Sequence, residues 1–217
     1  MKEPELHYWR LRMENCAAAL ENNGFEVHLA ATARDAADLV MDTIVPAAGP
    51  RLVSWGGSKS LMATGLVDQF KRNKKIKVLD TFNKKLSPDD KIELRRQALL
   101  TDLFLTGTNA ITEDGKLVNL DMHGNRVAAL AFGPRNVVVI AGRNKIVADV
   151  DDAMFRVKDY AAPVNAMRLD MKTPCVKSGA CEDCKAPQRI CNVWTINEKS
   201  FPRGRIKVVL VNQDLGF

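Results

Sequence analysis

With 217 residues and a hydrophobic content of 46%, the chain can bury one sizeable core, and we predict a single domain over residues 1–217. The net charge of +6 would suit an anionic metabolite, an acidic surface or nucleic acid. The basic run at residues 71–77, however, has no interleaved aromatic residue and is typical of a solvated helix end. We therefore predict no nucleic-acid partner. The charged start and the lack of a run of roughly 20 apolar residues predict a cytoplasmic protein with no membrane span.

The first elements are predicted in the order helix, strand, helix. Apolar residues recur at helical spacing over residues 5–22. Cys16 lies on that apolar stripe, where a small core residue is expected more than a catalytic thiol. Residues 25–30 alternate as a strand, and Thr32 caps a second helix over residues 34–44. Two prolines then predict a loop at residues 46–50.

A short apolar strand at residues 51–55 runs into Gly56, Gly57 and Ser58, which we call the first glycine loop. Glycines let a backbone approach a ligand closely, and the free amides at a following helix start favour an anion, so the loop suits a phosphate or a carboxylate. A plain strand-to-helix turn would carry the same residues, and the spacing matches neither a Walker loop nor a dinucleotide fingerprint. We predict a binding site at this loop only if a second loop faces it.

The alternation of helices and strands continues along the chain. Residues 76–79 predict a strand, and Ser87 opens a helix that reaches about Leu100, with Pro88 at its first position. Residues 102–107 return to the sheet. This repeated order predicts an α/β fold with a mostly parallel sheet and helices on both faces.

Residues 102–142 predict a strand, a polar turn, a hairpin, a helix and a β-branched strand. The turn contains Gly107, Thr108 and Asn109, which we call the second glycine loop. Because ligands bind at the carboxyl edges of strands in α/β sheets, we expect the two glycine loops to form two walls of one anion-binding cleft. Lys145 follows the last strand and could meet an anion there, unless it only precedes the next helix.

Two residues of this region are candidates for acid–base catalysis. Glu113 could be a general base or a nucleophile, although Asp114 and Gly115 after it are typical of a plain hairpin turn. His123 lies close in sequence to Asp121, where acid–base chemistry is plausible, although most loop histidines are simply solvated.

A helix predicted over residues 150–167, which Pro163 should interrupt, leads to a Cys-rich loop at residues 172–192. Four of the five cysteines follow the spacing C-x5-C-x2-C-x6-C, and they are Cys175, Cys181, Cys184 and Cys191. Two disulfides are the alternative to a metal site, but the cytosol keeps thiols reduced, so we favour a metal. Zinc and an iron-sulfur cluster both accept four cysteines, and the spacing is typical of neither zinc ribbons nor ferredoxins.

Several segments resemble the LUD, or lactate-utilisation, domain family. They are WGGS at residues 55–58, LTGTNAITEDGKLVN at 105–119, GNRVAAL at 124–130, FGPRNVVVIAGRNKIV at 132–147, PCVKSGACEDCKAPQRICN at 174–192 and DLGF at 214–217. The resemblance implies a fold related to ribose-phosphate isomerases and CoA-transferases, and a role beside iron-sulfur proteins in lactate oxidation. It implies that the first glycine loop holds the anionic end of a ligand and that the second glycine loop, with Glu113, lines the other wall.

These expectations combine into a functional prediction. The protein is an accessory or electron-passing component in the oxidation of lactate or a related organic acid, with a small anionic metabolite as ligand and iron-sulfur subunits as possible partners. The redox pathway favours a [4Fe-4S] cluster on the four cysteines, with zinc as the alternative. The competing function is an enzyme or sensor that binds a sugar phosphate or a CoA thioester and has a structural zinc. No isomerase or CoA-transferase catalytic motif is evident, so the sequence leaves open whether the protein is an enzyme.

Overall fold

The computed structural model describes residues 3–217, and within them the chain forms ten strands in two sheets. In chain order the strands are β1 (Glu26–Ala30), β2 (Leu52–Trp55), β3 (Lys77–Leu79), β4 (Leu103–Gly107), β5 (Ala110–Thr112), β6 (Leu117–Asp121), β7 (Asn136–Gly142), β8 (Ile146–Val147), β9 (Val193–Asn197) and β10 (Ile206–Val211). The α-helices of the same residues are α1 (Pro4–Asn22), α2 (Ala33–Leu39), α3 (Val45–Ala48), α4 (Lys59–Ala63), α5 (Leu66–Arg72), α6 (Pro88–Gln97), α7 (Asn125–Ala131), α8 (Val150–Arg156), α9 (Ala162–Arg168) and α10 (Cys175–Ser178). Among residues 3–217, no helix has the length and apolar character needed to cross a membrane.

The main sheet has six parallel strands in the order β1-β10-β7-β4-β2-β3. Its central strands β10, β7 and β4 are almost wholly buried and mostly apolar because both faces are covered. In β7, Val138 and Ile140 pack on the face that carries α2, α4 and α5, whereas Val137 and Val139 pack on the face that carries α1 and α7. The predicted α/β fold, with a mostly parallel sheet and helices on both faces, is confirmed.

A second sheet has four strands in the order β8-β5-β6-β9. The predicted hairpin is its centre, formed by the antiparallel strands β5 and β6, and β9 adds to β6 from about 75 positions further along the chain. The sequence predicted strands at β5, β6 and β9 but not a separate sheet, because hydrophobic periodicity does not reveal which distant strands pair. Ile111 and Leu117 of this sheet share a core with Phe104 of the main sheet.

Two prolines lie inside helical segments rather than in loops. α2 continues through a π-helical turn, Val40–Ile44, into α3, so the loop predicted at residues 46–50 is wrong at Pro46, which occupies the first turn of α3. Pro163 likewise lies in the first turn of α9, after the π-helical turn Val157–Ala161, and this is the form that the predicted interruption takes. Each proline comes two residues after a π-helical turn, a local irregularity in the backbone hydrogen bonds that lets a helical segment accommodate a residue without an N–H.

Candidate functional site

A cleft of about 590 Å³ opens at the carboxyl edge of the main sheet. Three of its walls follow successive neighbouring strands: the first glycine loop follows β2, the second follows β4, and Lys145 lies in the short 3-10 turn Arg143–Lys145 after β7. The junction of β6 with α7 and the helix α9 close the other side. A crevice at the carboxyl ends of parallel strands is the usual place for a ligand in an α/β fold.

The two glycine loops do face one another across this edge. Gly57, Ser58, Gly107, Thr108 and Asn109 all line the cleft. The Ser58 hydroxyl accepts a hydrogen bond of 3.2 Å from the backbone N–H of Leu61 and so caps α4. A Cβ atom on Gly107 would lie 2.3 Å from that hydroxyl oxygen, so glycine at 107 is explained by packing of one loop against the other.

Gly56 does not line the cleft. It lies behind the cleft, against the side chain of Arg126, which the sequence did not mark as functional. A Cβ atom at Gly56 would lie 3.2 Å from the side chain of Arg126, in the first turn of α7. Arg126 is buried and pairs with Asp121 at 2.6 Å. The sequence signal was a single arginine within the apolar segment GNRVAAL.

Arg126 ties the second glycine loop to β6. Its guanidinium donates to the carbonyl of Gly107 at 3.1 Å and to the side-chain oxygen of Asn109 at 2.8 Å. It also donates to the side-chain oxygen of Asn119, which in turn accepts from the backbone N–H of Asn109. A buried arginine that satisfies several fixed acceptors acts as a rigid connector, so we regard Arg126 as a positioning residue of the cleft.

Lys145 lies in the cleft wall with only 4% of its surface exposed. Its Nζ donates a hydrogen bond of 2.7 Å to the carbonyl of Thr108. Burial lowers the pKa of Lys145 to about 7, and the nearby charges of Arg156 and Arg126 act in the same direction. Arg156 itself donates to the carbonyl of Asn109 at 2.8 Å.

The two predicted acid–base residues are not brought together. His123 lines the cleft, where burial and then the charge of Arg95 lower the pKa of its imidazole, against an opposite effect of Asp121. Glu113 lies outside the residues that line the cleft, in the exposed turn between β5 and β6, where it forms an ion pair with Arg12 of α1. This placement agrees with the plain hairpin turn that was the alternative for Glu113.

The charges that line the cleft are mostly positive. Lys59, Arg95 and Arg168 add to Arg126 and Lys145, whereas the one Asp or Glu side chain among the lining residues of the described chain is Asp121, which is paired with Arg126. Such a lining raises the local concentration of anions.

The four clustered cysteines line one separate small cavity of about 20 Å³. Arg189 holds their loop by donating to the carbonyls of Cys184 at 2.6 Å and Cys191 at 3.0 Å. Ala162 and Ile190 line both this cavity and the cleft, so the two are adjacent. In residues 3–217 the thiols are all free, and no three His, Cys, Asp or Glu side chains are arranged as a metal site. The fifth cysteine, Cys16, is fully buried in the core, as predicted.

Comparison with known proteins identified one family and one fold. The family model described as the LUD domain matches residues 13–211. The chain is similar to the crystal structure of a DUF162 family protein from Deinococcus radiodurans, with 16% identity and a TM-score of 0.50 over 94% of this chain and 98% of that one. At this identity the likeness shows the fold alone. No curated protein matches the chain.

Proposed function

The chain belongs to the LUD domain family, and from this we propose that it serves in the oxidation of lactate or a related organic acid and binds a small anionic metabolite in the cleft. The observation that carries the proposal is the cationic lining of the cleft, together with a buried lysine that has no acidic partner among the described residues. Burying a charge that lacks a partner is costly, so such a group is kept where a ligand uses it.

The ligand would lie between the two glycine loops. Gly57 and Ser58 would approach its anionic end on one side, and Gly107, Thr108 and Asn109 would form the other wall, with Lys145 next to Thr108. Gly56 would support the first loop from behind, against Arg126. His123 is the candidate for proton transfer that lines the cleft, whereas Glu113 lies outside the cleft lining and pairs with Arg12.

Thermal unfolding with a panel of ligands tests this cleft. Lactate, pyruvate, a sugar phosphate and CoA each stabilise the protein only if they bind, and a ligand at a hundred times its Kd adds about 2.7 kcal/mol to the free energy of unfolding. We expect a small carboxylate to do so, and Gly57→Asp to remove the effect by placing a negative charge in the cleft. Asn22→Asp, an exposed change of the same charge at the end of α1, is the matched control. A response confined to the sugar phosphate or CoA would favour the competing function.

We further propose that Cys175, Cys181, Cys184 and Cys191 hold a [4Fe-4S] cluster, with zinc as the alternative. Support comes from the four free thiols around one cavity, although they would have to draw together on binding because no three of them are arranged as a metal site in residues 3–217. The cationic side chains of the same loop, Lys177, Lys185 and Arg189, would offset thiolate charge. A bound cluster would supply one-electron transfer, which suits an electron-passing component working with iron-sulfur partner subunits. Zinc would only stabilise the fold of this loop.

Metal analysis of anaerobically purified protein tests this site. We expect stoichiometric iron and sulfide with the visible absorbance of a cluster, and we expect Cys184→Ser to lose them. Cys16→Ala removes a thiol from the core instead of the loop and should keep the metal. One bound zinc in a colourless protein would contradict the electron-passing role, and an unchanged metal content in Cys184→Ser would contradict the ligand assignment.

A further inference from the structure

The amine of Lys145 is buried in the cleft wall without an acidic partner among the described residues. Its Nζ donates to the carbonyl of Thr108 at 2.7 Å, and within residues 3–217 no carboxylate forms an ion pair with it. Buried lysines are normally paired with an acid, because an unpaired buried ammonium is expensive. The charged groups that face Lys145 are instead two further cations, Arg126 from α7 and Arg156 from α8.

Both arginines are already engaged with the protein. Arg156 donates to the carbonyls of Asn109 at 2.8 Å and Asn144 at 3.3 Å, and Arg126 is paired with Asp121. Burial, and then the charges of these two arginines, lower the pKa of Lys145 to about 7. In a large fraction of the molecules, Lys145 is therefore a free-base amine at neutral pH. An exposed lysine, with a pKa of about 10.4, is protonated in almost all of them. A free-base amine in a cleft is a nucleophile.

We propose that the amine of Lys145 reacts with the carbonyl carbon of a small 2-oxo acid in the cleft and forms a reversible imine. The nitrogen lone pair forms the C–N bond while the carbonyl electron pair moves to oxygen. That oxygen then leaves as water with two protons, one from the amine and one from solvent, and a protonated C=N bond remains. Addition of water reverses the reaction, so no oxidant or reductant is consumed.

The substrate class follows from the two kinds of group in the cleft. A nucleophilic amine selects a carbonyl, and the cationic side chains of Lys59, Arg95 and Arg168 select a carboxylate. A 2-oxo acid carries both groups on adjacent carbons. The inference rests on the proposed function, since a 2-oxo acid is what oxidation of a 2-hydroxy acid such as lactate produces.

Reductive trapping tests the inference on the full chain. The protein is incubated with pyruvate at pH 7 and sodium cyanoborohydride, and the modified peptide is identified by mass spectrometry. We expect a mass increase equal to pyruvic acid less one oxygen, located on Lys145 and at least about tenfold more abundant there than on any other lysine. Lys145→Arg keeps a cation but should lose the adduct, and Lys116→Arg, which changes a lysine of the β5–β6 turn that is paired with Asp114, should keep it.

The outcomes separate this inference from the anion-binding proposal. Thermal stabilisation by pyruvate without an adduct on Lys145 overturns the imine and leaves the anion-binding cleft standing. Absence of both stabilisation and adduct counts against both. An adduct spread evenly over many lysines also overturns the inference. The peptide map of the protein without substitutions shows by itself which lysine carries the adduct. The test therefore does not depend on whether Lys145→Arg folds.

Discussion

Arg126 is the residue on which the geometry of the cleft depends most. It is buried, it pairs with Asp121 at 2.6 Å, and it fixes Gly107 and Asn109 of the second glycine loop. Removal of one partner of a buried ion pair leaves the other charge uncompensated, which costs more than the pair contributes. The arginine therefore contributes both to stability and to the position of the loop.

We expect Arg126→Met to lower the free energy of unfolding by about 3–5 kcal/mol, because the carboxylate of Asp121 stays buried without its partner. The matched control is Arg34→Met, which breaks an exposed pair with Asp38 at 3.9 Å and should change stability by less than about 1 kcal/mol. Urea unfolding measures both values. Equal losses in the two variants would show that Arg126 does not connect the loops as described.

Lys145 makes stability depend on pH in a predictable direction. Its pKa is about 7 in the folded protein and 10.5 without the fold, so between these values the unfolded chain binds more protons. The free energy of unfolding therefore rises with pH over this window, by at most about 1.4 kcal/mol per pH unit from this residue. Lys145→Met should remove that rise, and urea unfolding at pH 7 and pH 10 checks it. An identical pH dependence in the two proteins would contradict the lowered pKa.

At the scale of elements, the two glycine loops are packed against each other as well as facing the cleft. Gly107 has no room for a side chain because Ser58, which caps α4, occupies that space. Gly57 differs, since a Cβ atom there would make an ordinary contact of 3.4 Å with Phe82. Two glycines that look alike in sequence therefore have different structural reasons.

This difference gives a paired prediction. Gly107→Ala should cost about 1–3 kcal/mol of stability through overpacking, because its Cβ would lie 2.3 Å from the Ser58 oxygen and 3.2 Å from the carbonyl of Ile140. Gly57→Ala should stay within about 0.5 kcal/mol of the parent protein. Thermal or urea unfolding compares them. Partial recovery of Gly107→Ala by Ser58→Gly would identify the clash, and no recovery would place the strain elsewhere.

At the scale of the whole molecule, the two sheets share one core. Ile111 and Leu117 of the small sheet pack with Phe104 and Val139 of the main sheet and with Leu20 of α1. Each sheet also has a cluster of its own on its other face, but this shared cluster joins the two sheets. We therefore expect residues 1–217 to behave as one domain, with the Cys-rich loop at residues 172–192 attached to it.

One cooperative transition is therefore expected on unfolding. Trp55 reports on the main sheet and Trp194 on the small sheet, and far-UV circular dichroism reports on all helices and strands. In urea, the midpoint from circular dichroism should match the fluorescence midpoint of the parent protein and of Trp194→Phe. Separate transitions for the two signals would contradict a single domain.

The sequence by itself determined the features that depend on neighbours along the chain. Helical and strand periodicity, the caps at Thr32 and Ser87, and alternation of helices with strands were enough to predict the parallel α/β sheet and the two glycine loops at its carboxyl edge. Only the tertiary structure decided the separate second sheet, the position of Glu113 outside the cleft lining, and the contacts of Arg126 and Lys145. Pairing of distant strands, burial of a charge and the pKa of an amine all depend on groups that are far apart in sequence and meet only in the folded chain.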